Sequence, residues 1–260
     1  MQTIVTVCNK DYQMLLPLWL EKIRSVTAMP VTVLALADTE TKDISDCTVI
    51  HIDPAGNPFP ANLPDHACAE KLRIFHHLPK DVDEILFLDV DLMVIRDFWT
   101  DANYFHSSRH SFIAVPDLFV GYKEKMEAEF QPFDPQFRMK FFSDGQFFYF
   151  NTGAFFASRT AHSRLFAEFL EVWSDYVSLT GKYPSIFDQN VFNYCLIRFG
   201  VDVIPMPIQN NCLRQYNPDW VDGRLQLHGK TVNAYHFNGG NADIKLRRWQ
   251  ELNQHLEVSP

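Results

Sequence analysis

Two aspartates separated by one residue sit inside an apolar run, Ile85-Leu86-Phe87-Leu88-Asp89-Val90-Asp91-Leu92-Met93-Val94-Ile95. On an extended chain residues i and i+2 share a face, so Asp89 and Asp91 converge at the end of a buried strand. Carboxylates held that close repel unless a cation lies between or beside them. Hard oxygen ligands favour Mn²⁺ or Mg²⁺, and a half-filled shell leaves room for phosphate oxygens. A strand ending in a solvated acidic turn is the competing reading, and D-x-D alone does not choose. Other polar groups also end separate apolar stretches: Asn151 in Asn151-Thr152-Gly153, the pair Asp188-Gln189, and His236 in His236-Phe237-Asn238-Gly239-Gly240. Each has a plain explanation, as a bulge residue, a helix N-cap beside an exposed amide, and a satisfied core or surface histidine. In the last case the glycines that follow permit close backbone approach, which suits a metal or phosphate site.

The elements that must position these groups alternate along the chain. Residues 3–8 read as a buried first strand, followed by a polar turn in which Asp11 can cap a helix carrying Leu15, Leu16, Trp19, Leu20 and Ile23. Residues 31–37 and 47–52 are strands, 54–64 a loop, and 67–78 a helix that delivers the chain to the Asp89 strand. Strand-helix-strand at this spacing predicts a right-handed, parallel α/β start. In such folds the loop after strand one borders the ligand crevice, so Thr6, Cys8 and Tyr12 are candidates to meet a base, Tyr12 by stacking. For Tyr12 a half-buried helix-start aromatic is the alternative. Further strands are expected at 112–115, 147–157, 201–204 and 234–237, and helices at 161–176, 189–198 and 245–256. Asp188 opens the second of these helices. Residues 118–146 have no steady period and are the expected lid or acceptor-binding insertion. No repeat or linker divides the chain, so residues 1–260 are read as one α/β domain with a central, mostly parallel sheet flanked by helices.

Composition narrows the partners. A net charge of −9 argues against nucleic acid or an anionic membrane, both of which reward clustered Lys and Arg. It does not argue against a nucleotide, because a metal can supply the positive charge. The five cysteines show no C-x-x-C spacing, no signal peptide is visible, and no apolar run approaches the ~20 residues of a membrane span. A soluble, cytoplasmic protein is the expectation. Many of the 23 phenylalanines fall between Phe105 and Phe156, and aromatic faces there suit a sugar or another planar acceptor.

Taken in order, Tyr12 after the first strand, Lys71-Leu72, Leu88-Asp89-Val90-Asp91, Pro116-Asp117, Asn151-Thr152-Gly153, Asp188-Gln189-Asn190 and His236-Phe237-Asn238-Gly239 resemble a GT-A-fold nucleotide-diphospho-sugar transferase. The chain is most similar to the retaining families of glycogenin and the lipopolysaccharide galactosyltransferases. From Asn151 to Gln189 it also resembles the plant and algal DxD transferases. The resemblance implies a Rossmann-like single domain and a metal, Mn²⁺ or Mg²⁺, held by Asp89, Asp91 and His236, with Asp89 shared with ribose. It implies Lys71 on the diphosphate or sugar, Asp117, Asn151 and Asp188 on sugar hydroxyls, Gly239 near the phosphates, and Gln189 beneath the anomeric carbon. The donor would be a UDP-sugar and the acceptor a soluble small molecule, glycan or protein. Retention would follow from front-face attack across Gln189, or from a covalent intermediate on Asp188.

The chain departs from the family in one respect. Lys245 comes nine residues after His236, and Arg247-Arg248-Trp249 stands where Lys-Pro-Trp is expected, which leaves the cation on the diphosphate open between Lys245 and an arginine. Two rival readings remain. One is a haloacid-dehalogenase-type phosphohydrolase, whose D-x-D usually lies nearer the N-terminus and is followed by Thr or Val where Met93 stands. The other is a catalytically silent sugar-nucleotide-binding module.

Overall fold

The computed structural model describes residues 1–41, 44–53, 66–100, 104–107, 112–118, 121–138, 149–183 and 187–258. Strand β1 (Gln2–Cys8) is buried from Thr3 onward, as β-branched residues flanked on both faces require. Helix α1 (Leu16–Val26) buries Leu16, Trp19, Leu20 and Ile23, one apolar stripe at helical spacing, with Pro17 tolerated in its first turn. Its approach is a 3₁₀ turn, Lys10–Leu15, capped by Asn9, whose side chain accepts from the Tyr12 amide; Asn9 therefore does the work expected of Asp11. β2 (Val31–Leu36) and β3 (Thr48–Ile52) add in parallel to one side of β1. The expected loop at 54–64 lies outside the described residues. The expected helix after it is interrupted: α2 (His66–Glu70) and α3 (Ile74–His77) are separated by a 3₁₀ turn, Lys71–Arg73.

β4 (Glu84–Leu88) then pairs in parallel with the other side of β1. The strand order reverses at this β1/β4 boundary, and the crevice of an open α/β sheet lies outside the carboxyl ends of such a pair. Beyond it come β5 (Leu92–Val94), the short α4 (Tyr104–Ser107), β6 (Phe112–Pro116), α5 (Gly121–Phe130), β7 (Phe150–Ser158), α6 (Arg159–Thr180), α7 (Phe187–Arg198) and β8 (Val203–Pro205). Among the described residues the large sheet has seven strands in the order β3-β2-β1-β4-β7-β6-β8, and β7 alone of these runs antiparallel to its neighbours. That reversal brings the first residues of β7 to the edge where β4 and β6 end, so Asp89 N–H donates to Gly153 O (2.8 Å) and Asp117 N–H to Tyr149 O (2.8 Å). A bulge opposite Ala114 and Val115 takes up Thr152, Gly153 and Ala154.

The rest of the chain builds β9 (Cys212–Leu213), β10 (Asp219–Val221), β11 (Arg224–Leu227), β12 (Lys230–Thr231), β13 (Ala234–His236) and α8 (Ala242–Val258). β13 lies between β5 and β9, and β10 to β12 form a separate meander that the apolar periodicity did not reveal. Apolar cores fill both faces of the large sheet. Along β4, Ile85 and Phe87 face one core, with Phe130, Phe169 and Phe192, while Leu86 and Leu88 face the other, with Trp19, Phe156 and Trp249. Residues 118–146 showed no period in sequence, yet their described part includes α5, with Met126, Phe130 and Phe137 buried; Phe130 stacks on Tyr194 at 4.5 Å. Among the described residues no helix is long and apolar enough to cross a membrane.

Candidate active site

Asp89 and Asp91 occupy the turn that joins β4 to β5, closed by Leu92 N–H donating to Asp89 O at 3.0 Å. β5 pairs with β13, setting His236 opposite Leu92, and Phe237 N–H donates to Asp91 O at 3.0 Å. Antiparallel pairing of the strand after the aspartates with the strand before the glycines thus carries His236 to the acidic pair. Its Nε2 lies 3.2 Å from Asp91 Oδ1 and 3.8 Å from Asp89 Oδ2. One ligand atom from each of the three residues can be chosen with all of them within 4.8 Å of one another.

Two lysines stand over the same carboxylates. Lys71, from the 3₁₀ turn between α2 and α3, is 2.9 Å from Asp89 Oδ1 and 3.1 Å from Asp188 Oδ2. Lys245, from α8, is 2.5 Å from Asp91 Oδ2 and 3.3 Å from the Tyr12 hydroxyl, with its ammonium 4.6 Å from the Tyr12 ring centre. Burial alone would raise both aspartate pKa values. For Asp91 the opposing charges of His236 and Lys245 win and hold its carboxyl well below the ordinary range. For Asp89 burial and the neighbouring Asp91 outweigh Lys71, and its pKa lies above the ordinary value. Burial opposes the Lys71 ammonium too, but Asp188 and Asp89 hold its pKa well above that of a free lysine. Lys245 is likewise raised, by Asp91 against the effect of burial.

A cavity of about 460 Å³ runs from this cluster to a second polar group. There Asp117 lies just past the end of β6, Asn151 at the start of β7, and Asp188 and Gln189 in the first turn of α7. Asp188 is not a cap, because the helix begins before it; its Oδ2 accepts from Thr152 Oγ1 at 2.7 Å and from Lys71. Gln189 Nε2 donates to Asp117 Oδ2 (3.1 Å), and its Oε1 accepts from Asn151 Nδ2 (3.2 Å). Tyr216 donates to the other Asp117 oxygen at 3.1 Å and accepts from Leu118 N–H at 2.9 Å. Gly239 and Gly240, at φ 76° and 87°, turn the chain from β13 into α8, a conformation that favours glycine.

Of the residues singled out in sequence, Tyr12, Lys71, Asp89, Asp91, Asp117, Asn151, Asp188, Gln189, His236, Gly239 and Lys245 all line this one cavity. Thr6 and Cys8 do not. Strand alternation turns Val7 to the cavity instead, and Asn9 follows it. Thr6 is fully buried, and its hydroxyl has no hydrogen-bond partner among the described residues. Burial pushes the Cys8 thiol up to about 12. Of the cations left open by the displaced lysine, Lys245 is carried onto Asp91 by α8, which begins at Ala242. Thr152, Gln215, Asn238 and Cys68 also line the cavity, and Asn211 lies just behind it; sequence reading had not marked them for the site. Thr152 lay inside a quoted motif, whereas Asn211 carried no signal beyond a polar run.

These features define an architecture, and comparison with solved structures shows it to be the GT-A glycosyltransferase fold. The chain is similar to galactosyltransferase LgtC in complex with donor and acceptor sugar analogues: TM-score 0.65, 20% identity, 100% of this chain and 98% of that one. It is also similar to mouse xyloside xylosyltransferase 1 in its apo form, with TM-score 0.63, 15% identity and coverage of 92% and 98%. The bifunctional glycosyltransferase WbbM matches 99% of this chain with half of its own length, at TM-score 0.62 and 17% identity. No protein-family profile matches the sequence, and no curated protein matches it. At these identities the likeness establishes the fold.

Proposed function

We propose that this chain is a metal-dependent, retaining glycosyltransferase that moves a sugar from a nucleotide-diphospho-sugar, a UDP-sugar in the first instance, to an acceptor hydroxyl. The observation that carries the reading is the convergence of Asp89, Asp91 and His236, with ligand atoms within 4.8 Å, at one end of a cavity whose other end is lined by Asp117, Asn151, Asp188 and Gln189. Two carboxylates and an imidazole suit Mn²⁺ or Mg²⁺ and leave positions for diphosphate oxygens. A bound ion would act as a Lewis acid on the leaving diphosphate. Lys71 and Lys245, already within reach of the acidic pair, supply the remaining positive charge for the phosphates. Asp117, Asn151 and Asp188 hold sugar hydroxyls, and Tyr12 borders the nucleotide end.

Gln189 is held by Asp117 on its nitrogen and Asn151 on its oxygen. That neutral amide stabilises positive charge at the anomeric carbon without bonding to it. The bond to the leaving phosphate breaks, the bond to the acceptor oxygen forms on the same face, and the phosphate takes the acceptor proton. Asp188 is engaged by Lys71 and Thr152, which favours this course over a covalent intermediate on Asp188. The GT-A fold leaves the phosphohydrolase alternative without support. Residues 118–146, which follow Asp117 in the chain, are our candidates for acceptor recognition of a soluble small molecule, glycan or protein. Five free cysteines accord with a reducing compartment such as the cytoplasm.

The test is incubation with Mn²⁺ and a panel of sugar nucleotides, with and without acceptors. Release of one nucleoside diphosphate that disappears in Asp91→Asn supports the reading, and the anomeric configuration of the product decides retention. Phosphate release from simple phosphomonoesters would sink it. Nucleotide binding without turnover, whatever acceptor is offered, would favour a silent binding module.

A further inference from the structure

Behind the acidic cluster an unbroken series of side-chain amides joins the sugar end of the site to His236. Asn211, fully buried at the end of the 3₁₀ turn Ile208–Asn211 and outside the cavity lining, is the member next to the ring. His236 Nδ1 lies 2.9 Å from Asn211 Oδ1, and Asn211 Nδ2 lies 2.8 Å from Asn151 Oδ1. Asn151 continues to Gln189, and Gln189 to Asp117. An amide can be turned either way when only its neighbours are amides, so the direction of such a series needs fixed ends.

Here two groups that cannot change role supply them. Asp117 binds Gln189 through a carboxylate oxygen, which when ionised only accepts, so the nitrogen of Gln189 must face it. Gly153 N–H, which can only donate, points at Asn151 from 2.7 Å, so the oxygen of Asn151 must face it. The nitrogen of Asn151 then serves Gln189, as the first anchor also demands. The nitrogen of Asn211 must meet the oxygen of Asn151, which leaves only the oxygen of Asn211 for the ring.

We infer that Asn211 is a positioning residue that holds His236 with its proton on Nδ1 and so turns Nε2, lone pair outward, to the metal position between Asp89 and Asp91. This rests on the metal reading above and adds the group that makes the histidine a ligand. Neutral imidazole has two tautomers, and only the one with hydrogen on Nδ1 offers Nε2 to an ion. Hydrogen bonds to the far nitrogen of a metal-binding histidine orient the ring and raise its basicity, and their loss typically weakens metal binding ~10–100-fold. Because the same series ends on Gln189 and Asp117, one network sets the attitude of both the ligand and the amide under the sugar. Asn211 bonds His236 and Asn151 and lines neither end of the cavity.

The test is the ¹⁵N spectrum of the His236 ring in the metal-free protein, where Asp91 Oδ1 lies 3.2 Å from Nε2 and Asn211 faces Nδ1, together with Mn²⁺ titration. The unaltered chain should show hydrogen on Nδ1. Asn211→Ala should lose that signature and bind Mn²⁺ ~10–100-fold more weakly, while Asn211→Asp, which keeps an acceptor for Nδ1 at nearly the same volume, should retain the signature. A ring without hydrogen on Nδ1 in the unaltered chain overturns the inference, and so does an Asn211→Ala protein with unchanged ring shifts and Mn²⁺ affinity. An unaltered chain with hydrogen on Nδ1 that binds no Mn²⁺ overturns the metal reading instead and leaves the relay standing. If Asn211→Ala does not fold, the spectrum of the unaltered chain and Asn211→Asp still decide.

Discussion

A methyl group at Gly153 would lie 2.4 Å from Cε1 and 2.8 Å from Nδ1 of His236, and 2.8 Å from Oδ1 of Asn151. Its backbone is not left-handed, so space rather than conformation demands glycine here. Gly153→Ala must move either the histidine or the strand, and overpacking of this kind costs about 1–3 kcal/mol. We predict that urea denaturation records such a loss and that Mn²⁺ affinity falls at the same time; unchanged affinity would mean that the ring has a second seat. Lys245 poses the opposite case. Its ammonium occupies Asp91 Oδ2 at 2.5 Å, an oxygen that a metal would also claim. Removing a competing cation strengthens the attraction left for another. Lys245→Met should therefore tighten Mn²⁺ binding in the absence of nucleotide and weaken nucleotide binding in its presence. Calorimetric titrations of both ligands check the pair of signs, and weaker Mn²⁺ binding alone would refute it.

His162, in the first turn of α6, connects an element to the site. Its Nε2 lies 3.0 Å from the Lys71 carbonyl, and its ring packs against Phe75 at 5.2 Å. α6 thereby holds the 3₁₀ turn that presents Lys71. Burial lowers the His162 pKa from 6.5 to about 4, with the bond to Lys71 O opposing the shift and the nearby Arg159 charge adding to it. A histidine with a lowered folded pKa binds fewer protons folded than unfolded as pH drops. Its contribution to stability is thus complete above pH ~6.5 and is lost as pH falls toward 4, by about 3 kcal/mol. Stability measured by urea between pH 7 and pH 4 should show that decline, and His162→Gln should flatten it. An equal slope in the variant would assign the decline to other groups. The direction of β7 is the other decision made at this scale. An antiparallel strand between β4 and β6 brings its opening Asn151-Thr152-Gly153 to the edge where Asp89 and Asp117 emerge.

For the molecule as a whole, the site lies where the two halves of the sheet diverge and is closed from the side by β13 and α8. Bound metal and nucleotide would tie these parts together. A ligand that binds only the folded chain stabilises it by about 2.7 kcal/mol at a hundredfold excess over Kd. For a chain of this size that corresponds to a rise in Tm of roughly 5–10 °C. We predict the rise with Mn²⁺ and UDP together, and its absence with both added to Asp91→Asn. Equal shifts in the two proteins would locate the nucleotide elsewhere. The net charge of −9 makes the metal a condition for an anionic donor, so UDP alone should shift Tm less.

Local order carried most of the first reading. An apolar run ending in Asp-x-Asp, helical stripes such as Leu16, Trp19, Leu20 and Ile23, and glycines after His236 are legible because periodicity and backbone freedom act over a few residues. They led to an α/β fold, to the acidic pair and to most of the cavity wall. Three kinds of fact were not legible. The choice of Val7 and Asn9 over Thr6 and Cys8 depends on the phase of a strand buried on both faces, where alternation leaves no polar mark. Helix α5, with Met126 and Phe130 in the core, lacks a clean stripe because partners from α6 and α7 bury it. Asn211 reads as one polar residue in a loop. Its role exists only because β13 pairs with β5 and the bulge of β7 turns Asn151 toward it. Residue types and short-range spacing, which one chain specifies by itself, determined which chemistry is present. Which nitrogen faces the metal position and which lysine reaches Asp91 were decided by contacts between residues far apart in sequence, which form only when the chain is packed.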